Sequence, residues 1–360
     1  MLLIVLNYVR SLNEFEKIHK MRGIIKMKIA FFSTKPYDKE FFEPLAKKMK
    51  IDIKYFEEKL NSNTAALAKG YDATCSFVND DVNADVVQVL KDIGVKVILL
   101  RCAGFDSVDL EKAKELDMPV LRVPAYSPSA VAEHAVALLL AVNRKIHLAS
   151  SRTKRFNFDI NGLIGKVLRG KTAGVIGTGR IGKVVIEILT GFGMNIIAYD
   201  IYPDTKSNIN YVTLDELFSK SDVITLHTPL TPDTKYIINS DSISKMKDEV
   251  ILINTARGGL IKTKDLIKAL EDGKFYGVGL DVCDKEAEYF YADQSHITDK
   301  DEELQKLLSF DRLILTGHQA FFTEESMEAI AEITLTNLKR FMEDGDLTNE
   351  VNLFLDSIKE

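Results

Sequence analysis

Short runs of apolar residues alternate along the chain with stretches in which apolar residues recur at helical spacing, in two successive sets. This order is typical of parallel α/β sheets, whose strands are connected by helices. The first set predicts helices at 83–93 and 109–116 and strands at 28–33, 51–55, 72–78, 95–100 and 119–122. The second set predicts helices at 180–192, 240–246 and 262–271 and strands at 172–176, 195–199, 222–226, 249–254, 275–280 and 312–315. We therefore predict two doubly wound α/β domains with a cleft between them.

The segment 127–150 joins the two sets. Ser127 or Ser129 can cap a helix that is entered through Pro128. Residues 130–142 are apolar nearly all round, so this helix must be buried on several sides, by its own domain and by a second subunit. A last helix is expected at about 323–343.

The predicted elements divide the 360 residues into three parts. One domain comprises 27–126 together with 322–360, and the other comprises 127–321. Residues 1–26 form an extension, interpreted as disordered or as an appended helix. Its apolar run at 2–6 has neither a basic region before it nor a small-residue cleavage site after it, so it does not indicate a signal peptide.

Composition excludes several classes of protein. The chain is 46% hydrophobic and 28% charged with a net charge of −6, and no basic stripe indicates a nucleic-acid partner. No apolar run is long enough to span a bilayer. The three cysteines (Cys75, Cys102 and Cys283) are far apart and unpatterned, which favours reduced thiols in a cytoplasmic protein and gives no metal site.

The strongest local motif is a glycine-rich turn at 177–182. Its glycines, Gly177, Gly179 and Gly182, follow a predicted strand and open a predicted helix, an arrangement typical of dinucleotide binding. The helix N-terminus offers N–H groups and partial positive charge to phosphates. Asp200 ends the next strand, where an acid binds ribose hydroxyls, and no Arg follows at once to hold a 2′-phosphate. The motif therefore predicts NAD.

Three further residues follow predicted strands and suit hydride-transfer chemistry. Arg257 can bind a carboxylate through both ends of its guanidinium fork. A carboxylate such as Glu286 beside an imidazole such as His318 stabilises the protonated ring, which a proton donor needs. Taken singly, these residues are also common in surface ion pairs and at strand ends, and the sequence does not put them in contact.

From Met27 to about Leu347 the chain resembles the D-isomer-specific 2-hydroxyacid dehydrogenase family, and within it the D-lactate dehydrogenases. The blocks GTGRIG, DVITLHTPLTPDTKYII and MKDEVILINTARGGLI stand in the family's order. The resemblance implies two Rossmann-like domains, a flavodoxin-like substrate domain at 27–126 and 322–360 and an NAD-binding domain at 127–321. It also implies that Arg257, Glu286 and His318 form the catalytic set.

The same resemblance implies which residues contact the ligands. NAD would be bound by the residues around the glycine-rich turn and at the ends of the following strands: Gly177, Gly179, Arg180, Ile181, Gly182, Asp200, Thr228, Pro229, Thr234, Thr255, Ala256 and Asp281. The substrate would contact Arg257, the backbone N–H groups of Ala103 and Gly104, the Tyr126 hydroxyl, and the walls formed by Phe77 and Phe321. Cys283 departs from the aromatic residue that the family often has in this motif. His134 and His227 are expected to do no chemistry.

The expected activity is reversible, NADH-dependent reduction of pyruvate to D-lactate in the cytoplasm, by a homodimer or homotetramer that serves fermentation and needs no metal. Another D-2-hydroxyacid dehydrogenase, acting on a different 2-oxo acid or on hydroxypyruvate, is the nearest alternative. A non-catalytic, NAD-sensing binding protein is the alternative from another class, and retention of the Arg, Glu and His set disfavours it.

Overall fold

The computed structural model describes residues 27–351, so the interpretation of residues 1–26 and the last nine residues of the domain 322–360 lie outside the described residues. The chain divides into two compact units. Among the described residues, unit 1 comprises 27–124 with 330–351, and unit 2 comprises Ala125–Ala329. The chain passes into unit 2 after Pro124 and returns to unit 1 after Ala329, inside the last helix.

Unit 1 contains a five-stranded sheet in which every neighbouring pair is parallel. The strand order is β2-β1-β3-β4-β5, with β1 at Lys28–Phe31, β2 at Asp52–Tyr55, β3 at Ala73–Ser76, β4 at Val97–Leu100 and β5 at Val120–Leu121. The order reverses between β1 and β3, and ligands of open α/β sheets bind outside such a reversal. All residues of β3 and β4 are buried, as expected of central strands covered on both faces.

The helices of unit 1 are α1 at Pro36–Met49, α2 at Ala84–Asp92 and α3 at Leu110–Glu115. Asn83 and Asp109 cap α2 and α3 by accepting hydrogen bonds from the backbone N–H groups of Val86 and Lys112. Pro36 lies in the first turn of α1, where its missing N–H group costs nothing. The sequence pattern did not predict α1.

Unit 2 contains a six-stranded parallel sheet of order β11-β10-β9-β8-β6-β7. The strands are β6 at Thr172–Ile176, β7 at Asn195–Tyr199, β8 at Val223–Leu226, β9 at Val250–Asn254, β10 at Phe275–Leu280 and β11 at Leu313–Leu315. In β9, Val250 and Leu252 belong to one buried apolar cluster, and Ile251 and Ile253 belong to another. The sheet is therefore covered on both faces, and the prediction of two parallel α/β domains is confirmed.

The helices of unit 2 follow the predicted pattern with three additions, α7, α10 and α11, and with a break before α5. They are α4 at Pro128–Asn143, α5 at Ile146–Thr153, α6 at Arg180–Gly191, α7 at Leu214–Lys220, α8 at Ser240–Lys245, α9 at Thr263–Glu271, α10 at Glu286–Tyr289 and α11 at Glu302–Leu308. The last helix, α12 at Glu324–Asp344, runs from unit 2 into unit 1.

Helix α4 is the apolar helix predicted from residues 130–142. It begins at Pro128, and Ser127 is the residue that caps it, by accepting a hydrogen bond from the Ala130 N–H group. Its apolar side chains pack in unit 2 against α6 and the sheet, where a side chain at Gly279 would come within 3.0 Å of Leu138. Unit 2 itself therefore provides most of the burial that this helix requires.

Candidate active site

The glycine-rich turn connects β6 to α6, and two of its glycines are required by packing within the protein. Gly177 has a φ of +91°, and a Cβ there would lie 2.6 Å from the carbonyl oxygen of His227. A Cβ on Gly182 would lie 2.0 Å from the carbonyl oxygen of Gly177. Both positions exclude side chains because two backbone segments approach each other closely.

Gly179 is glycine for a different reason. Apart from its chain neighbours, a Cβ at this position would meet no atom of residues 27–351 within 4 Å, so the turn leaves open space at the N-terminus of α6. Arg180 and Ile181 begin that helix, whose first N–H groups have no partner within the helix. An open space lined by helix N–H groups fits a dinucleotide pyrophosphate.

Asp200 follows β7 and faces the same turn. Its Oδ2 accepts hydrogen bonds from the backbone N–H of Thr178 at 2.6 Å and from the Thr178 hydroxyl at 3.0 Å, and its Oδ1 accepts from the Tyr202 N–H at 2.9 Å. An open cavity of about 390 Å³ lies beside Asp200 and is lined in part by Tyr199 and Tyr211. The carboxylate therefore anchors the glycine-rich turn at the edge of a cavity.

Two of the predicted cofactor residues carry hydroxyl groups with no partner in residues 27–351. They are Thr228, after β8, and Thr255, after β9. Orphaned hydroxyls of this kind fit a bound polar ligand, since a buried polar group is normally hydrogen-bonded. Thr234 instead closes its own turn by donating to the carbonyl oxygen of Pro229. Desolvation lowers the pKa of His227 to about 3, so this imidazole is neutral and does not serve as an acid.

Arg257, Glu286 and His318 follow three neighbouring strands, β9, β10 and β11. Because these strands are parallel, their carboxyl ends lie at one edge of the sheet, which is also the edge where β6 leads into the glycine-rich turn. The structure therefore brings the predicted catalytic set and the predicted cofactor turn to the same edge.

Glu286 and His318 are in contact. Oε1 of Glu286 lies 3.3 Å from Nδ1 of His318, and the two side chains are 25% and 15% exposed. The other carboxylate oxygen, Oε2, has no hydrogen-bond partner among the described residues. At this distance the carboxylate faces the Nδ1 edge of the ring and can balance the positive charge of an imidazolium. The sequence alone does not place Glu286 beside His318, and the structure shows the two side chains in contact.

The Arg257 segment packs against the segment that leads to Glu286. A Cβ on Gly258 would lie 2.2 Å from the carbonyl carbon of Cys283, so only glycine permits this approach. Nη1 of Arg257 donates to the carbonyl oxygen of Ala256, and the Asn254 side chain donates to the carbonyl oxygen of Arg257. Cys283 is buried, and desolvation raises the pKa of its thiol to about 11, which keeps it protonated.

Asp281 lies at the end of β10, and its carboxylate is completely buried. It accepts hydrogen bonds from the Thr316 hydroxyl and from the N–H groups of Gln319 and Ala320, and Nε2 of His134 lies 3.4 Å away. Desolvation raises the pKa of Asp281, but these hydrogen bonds outweigh it and hold the pKa below its usual range. Asp281 is therefore an anionic anchor for the segment that carries His318.

The predicted substrate residues are divided between the units. In unit 1, the ring of Phe77 lies against the buried guanidinium of Arg101, 4.7 Å from the ring centroid. The backbone N–H groups of Ala103 and Gly104 donate to no protein acceptor in residues 27–351. In unit 2, the rings of Tyr126 and Phe321 are in edge contact, with centroids 6.3 Å apart.

Sequence reasoning missed the groups that hold these residues in place. In unit 1, Arg101 and Asp80 are both buried, and Asp80 accepts hydrogen bonds from the Ser33 hydroxyl and from the Phe77 N–H group. In unit 2, His134 is expected from the sequence to do no chemistry. The structure shows that its contact with Asp281 joins α4 to the end of β10. No local sequence pattern indicates the hydrogen bonds of Asp80 or the contact of His134 with Asp281.

In residues 27–351, no group of three or more His, Cys, Asp or Glu side chains could hold a metal ion. Across the same range, no helix is both long enough and apolar enough to cross a bilayer.

Comparison with known proteins identifies the family. Residues 136–320 match the family described as D-isomer specific 2-hydroxyacid dehydrogenase, NAD binding domain. A 2-hydroxyacid dehydrogenase homolog of Haemophilus influenzae is 47% identical over 315 residues, covering 87% of this chain and 95% of that protein. The D-lactate dehydrogenase of Escherichia coli is 44% identical over 328 residues, covering 90% of this chain and all of that protein.

A solved structure gives the same result. The pyruvate reductase of Chlamydomonas reinhardtii superposes with a TM-score of 0.85 at 42% identity, covering 91% of this chain and 99% of that one. The relatives match along almost their whole length, and the matched residues include the glycine-rich turn and all three strand ends described above. The chain therefore belongs to the D-isomer specific 2-hydroxyacid dehydrogenase family and is an NAD-dependent enzyme of that family.

Proposed function

We propose that this enzyme reduces pyruvate to D-lactate with NADH, reversibly. The contact of Glu286 with His318, at the sheet edge where Arg257 and the glycine-rich turn also lie, is the observation that carries the proposal. The names of two relatives, a D-lactate dehydrogenase and a pyruvate reductase, support the choice of substrate.

The catalytic roles follow from the chemistry of each group. Arg257 binds the substrate carboxylate, and its positive charge stabilises the negative charge that develops on the carbonyl oxygen. His318 donates its proton to that oxygen, while Glu286 balances the charge of the imidazolium. The bound nicotinamide supplies the hydride to the carbonyl carbon. In the reverse direction, neutral His318 accepts the hydroxyl proton of D-lactate.

Substrate size follows from the aromatic residues. We propose that the substrate contacts Phe77, the N–H groups of Ala103 and Gly104, and the side chains of Tyr126 and Phe321. Phe77 and Phe321 carry no charge and suit a methyl group better than a phosphate or a carboxylate. Initial rates with NADH and a panel of 2-oxo acids test this proposal. We expect the highest kcat/KM with pyruvate, and a higher value with hydroxypyruvate or a branched 2-oxo acid would contradict it.

The cofactor roles are also part of the proposal. Gly177, Gly179, Gly182, Arg180 and Ile181 would hold the pyrophosphate, and Asp200 would bind the ribose hydroxyls. Further along the sheet edge, the predicted contacts are Thr228, Pro229, Thr234, Thr255 and Ala256. Because the carboxylate of Asp281 is enclosed by protein donors, we assign it to holding the His318 segment rather than to direct cofactor contact.

A cytoplasmic location and a role in fermentation complete the proposal. Cys75, Cys102 and Cys283 are all buried and form no disulfide in residues 27–351, as suits a reducing compartment. Reduction of pyruvate regenerates NAD from NADH, which is the need that fermentation meets.

We also propose that the enzyme is a homodimer or a homotetramer, with residues 154–167 as the subunit contact. The arm carries five apolar side chains that are each 71–89% exposed: Phe156, Phe158, Ile160, Ile164 and Val167. Its backbone is held to α5 by Arg152, whose Nη1 donates to the carbonyl oxygens of Asp159 and Asn161. Ordered, exposed apolar side chains of this kind mark interaction surfaces. They fit this role better than α4, whose apolar residues pack within unit 2.

The first prediction concerns cofactor choice. Asp200→Ala should lower kcat/KM for NADH by roughly tenfold to a hundredfold, because hydrogen bonds to a charged group are lost. The value for NADPH should fall less or rise, because a carboxylate that repels the 2′-phosphate is removed. Thr178→Val is the matched control, since it removes a hydroxyl bonded to Asp200 and keeps the charge, so NADPH should still be rejected. Equal efficiency of the wild type with both cofactors would contradict the assignment.

The second prediction concerns the pair of Glu286 and His318. Reduction needs a proton on His318, and the Glu286 carboxylate balances the charge of the imidazolium. Glu286→Gln should therefore lower kcat/KM for pyruvate by about tenfold to a hundredfold, because an interaction with a charged group is lost. His318→Gln should lower it further, by about 10²–10⁴, the usual contribution of a general acid. Initial rates from about pH 5 to 9 check both, a range that brackets the reference histidine value. A Glu286→Gln variant with the wild-type kcat/KM across that range would remove Glu286 from the catalytic set.

The third prediction concerns assembly. Phe156→Glu combined with Phe158→Glu should shift the mass measured by light scattering from a multiple of the chain to that of a single chain, because two charges would be buried in an apolar contact. Leu67→Glu, an exposed apolar position in unit 1, is the control and should leave the mass unchanged. A double variant that keeps the wild-type mass would place the subunit contact elsewhere.

A further inference from the structure

The backbone of His318 has an unfavourable conformation. Its φ is +54°, in the left-handed region that residues other than glycine seldom adopt. Such a conformation persists only where neighbouring groups hold it. Asp281 holds the two peptide groups that follow, by accepting hydrogen bonds from Gln319 and Ala320. The carbonyl group of His318 itself needs a separate partner.

Tyr291 is that partner. Its hydroxyl donates a hydrogen bond to the carbonyl oxygen of His318 at 3.1 Å. Its ring lies beside the imidazole, with centroids 6.1 Å apart and the planes tilted by 37°, and Phe321 makes an edge contact with the imidazole at 6.4 Å. Tyr291 follows α10, whose first residue is Glu286. One short segment therefore contacts His318 through a carboxylate at Nδ1 and through a phenol at the carbonyl group.

We propose that Tyr291 is a positioning residue for the proposed proton transfer. It holds the His318 peptide in the left-handed conformation and limits rotation of the imidazole, so that Nδ1 faces Glu286 and the other ring nitrogen faces the substrate. This inference rests on the proposed function, because it gives His318 the role of proton donor. Tyr291 acts through His318 and takes no part in the chemistry.

Loss of this support should affect the chemical step more than binding. Without the hydroxyl, the His318 peptide can relax toward commoner conformations, which turns the imidazole away from Glu286. The charged and titratable groups around the imidazole are Glu286 at Nδ1, the Tyr291 hydroxyl, and the Asp281 carboxylate with His134 behind the following peptide groups. Among residues 27–351, Glu286 is the one acid within ion-pair distance of the ring, so movement of the imidazole breaks the contact that balances its charge.

A series of variants tests the proposal. Tyr291→Phe keeps the ring and removes the hydroxyl, whereas Tyr291→Leu removes both. Tyr289→Phe is the matched control, because Tyr289 lies in the same segment and its hydroxyl accepts a hydrogen bond from the Asp301 N–H group instead. Each variant is compared with the wild type in kcat and KM for pyruvate, in the pH profile of reduction and in Tm.

We expect Tyr291→Phe to lower kcat roughly threefold to tenfold, the effect of one ordinary hydrogen bond, with KM for pyruvate and NADH changed less than about twofold. Tyr291→Leu should lower kcat further, toward the value of Glu286→Gln, because both the hydroxyl and the ring that support the imidazole are lost. Tyr289→Phe should keep the wild-type kcat and pH profile. If Tyr291→Phe matches Tyr289→Phe in kcat and pH profile, with only Tm reduced, the role of Tyr291 is merely structural and the proposal is overturned.

A spectroscopic measurement separates this proposal from the proposed function. The full-length protein, labelled with ¹⁵N-histidine, gives signals from six histidines, and His318→Gln identifies the His318 signal. That signal should be broader in Tyr291→Phe and broader again in Tyr291→Leu, because the imidazole samples more than one orientation, whether or not pyruvate is the substrate. A signal as sharp as that of the wild type in both variants would overturn the positioning role. A wild type inactive toward every 2-oxo acid would instead overturn the proposed function.

Discussion

Leu280 pairs with Asn254 on one side and with Leu315 on the other, so β9, β10 and β11 end at the same level of the sheet. This alignment is the constraint on which the site depends, because Arg257, Glu286 and His318 follow these strand ends within a few residues. All of β9 and five of the six residues of β10 are buried, so a register shift would expose apolar side chains on one strand and break the backbone pairing with the next. The same packing that stabilises unit 2 therefore sets the positions of the reactive groups.

The buried carboxylate of Asp281 joins this alignment to the segment that carries His318. A hydrogen bond to a charged group contributes about 1.5–3 kcal/mol, and desolvation of a carboxylate costs several kcal/mol. Asp281 accepts several such bonds, and together they outweigh the desolvation, as its lowered pKa indicates. It also fixes geometry, because its donors lie on three segments: α4 at His134, the end of β11 at Thr316, and the backbone after His318. A hydrophobic residue of similar size could fill the space but could not hold those N–H groups.

The strands and the glycine-rich turn could be predicted because their signals are local. Buried parallel strands are continuous apolar runs, and a strand, a glycine-rich turn and a helix follow one another within residues 172–191. Helix α1 was not predicted, since its charged residues and Pro44 interrupt the apolar pattern. The catalytic set was predicted from the family resemblance, and its contact at 3.3 Å needed the structure.

The supporting contacts could not be predicted, for a physical reason. Asp281 with His134, Arg101 with Phe77, and Tyr291 with His318 each join residues that are distant in sequence, and hydrogen bonds or ring contacts between such residues leave no periodic pattern. The sequence also did not predict that the apolar residues of the arm at 154–167 are exposed. Its apolar residues alternate with polar ones, and only their exposure distinguishes them from a core strand. Tertiary contacts of this kind determine how accurately the predicted residues are held.

The central claim is that Arg257 and His318 act on one substrate in one transition state. A double-mutant cycle on kcat/KM for pyruvate tests it most directly, with Arg257→Lys, His318→Gln and the variant carrying both changes. Residues that act as a unit are strongly non-additive, because once one is lost the other has little transition state left to stabilise. We predict that the double variant is little slower than the slower single variant. A double variant whose loss equals the product of the two single losses would show that the residues act independently, and would contradict the account.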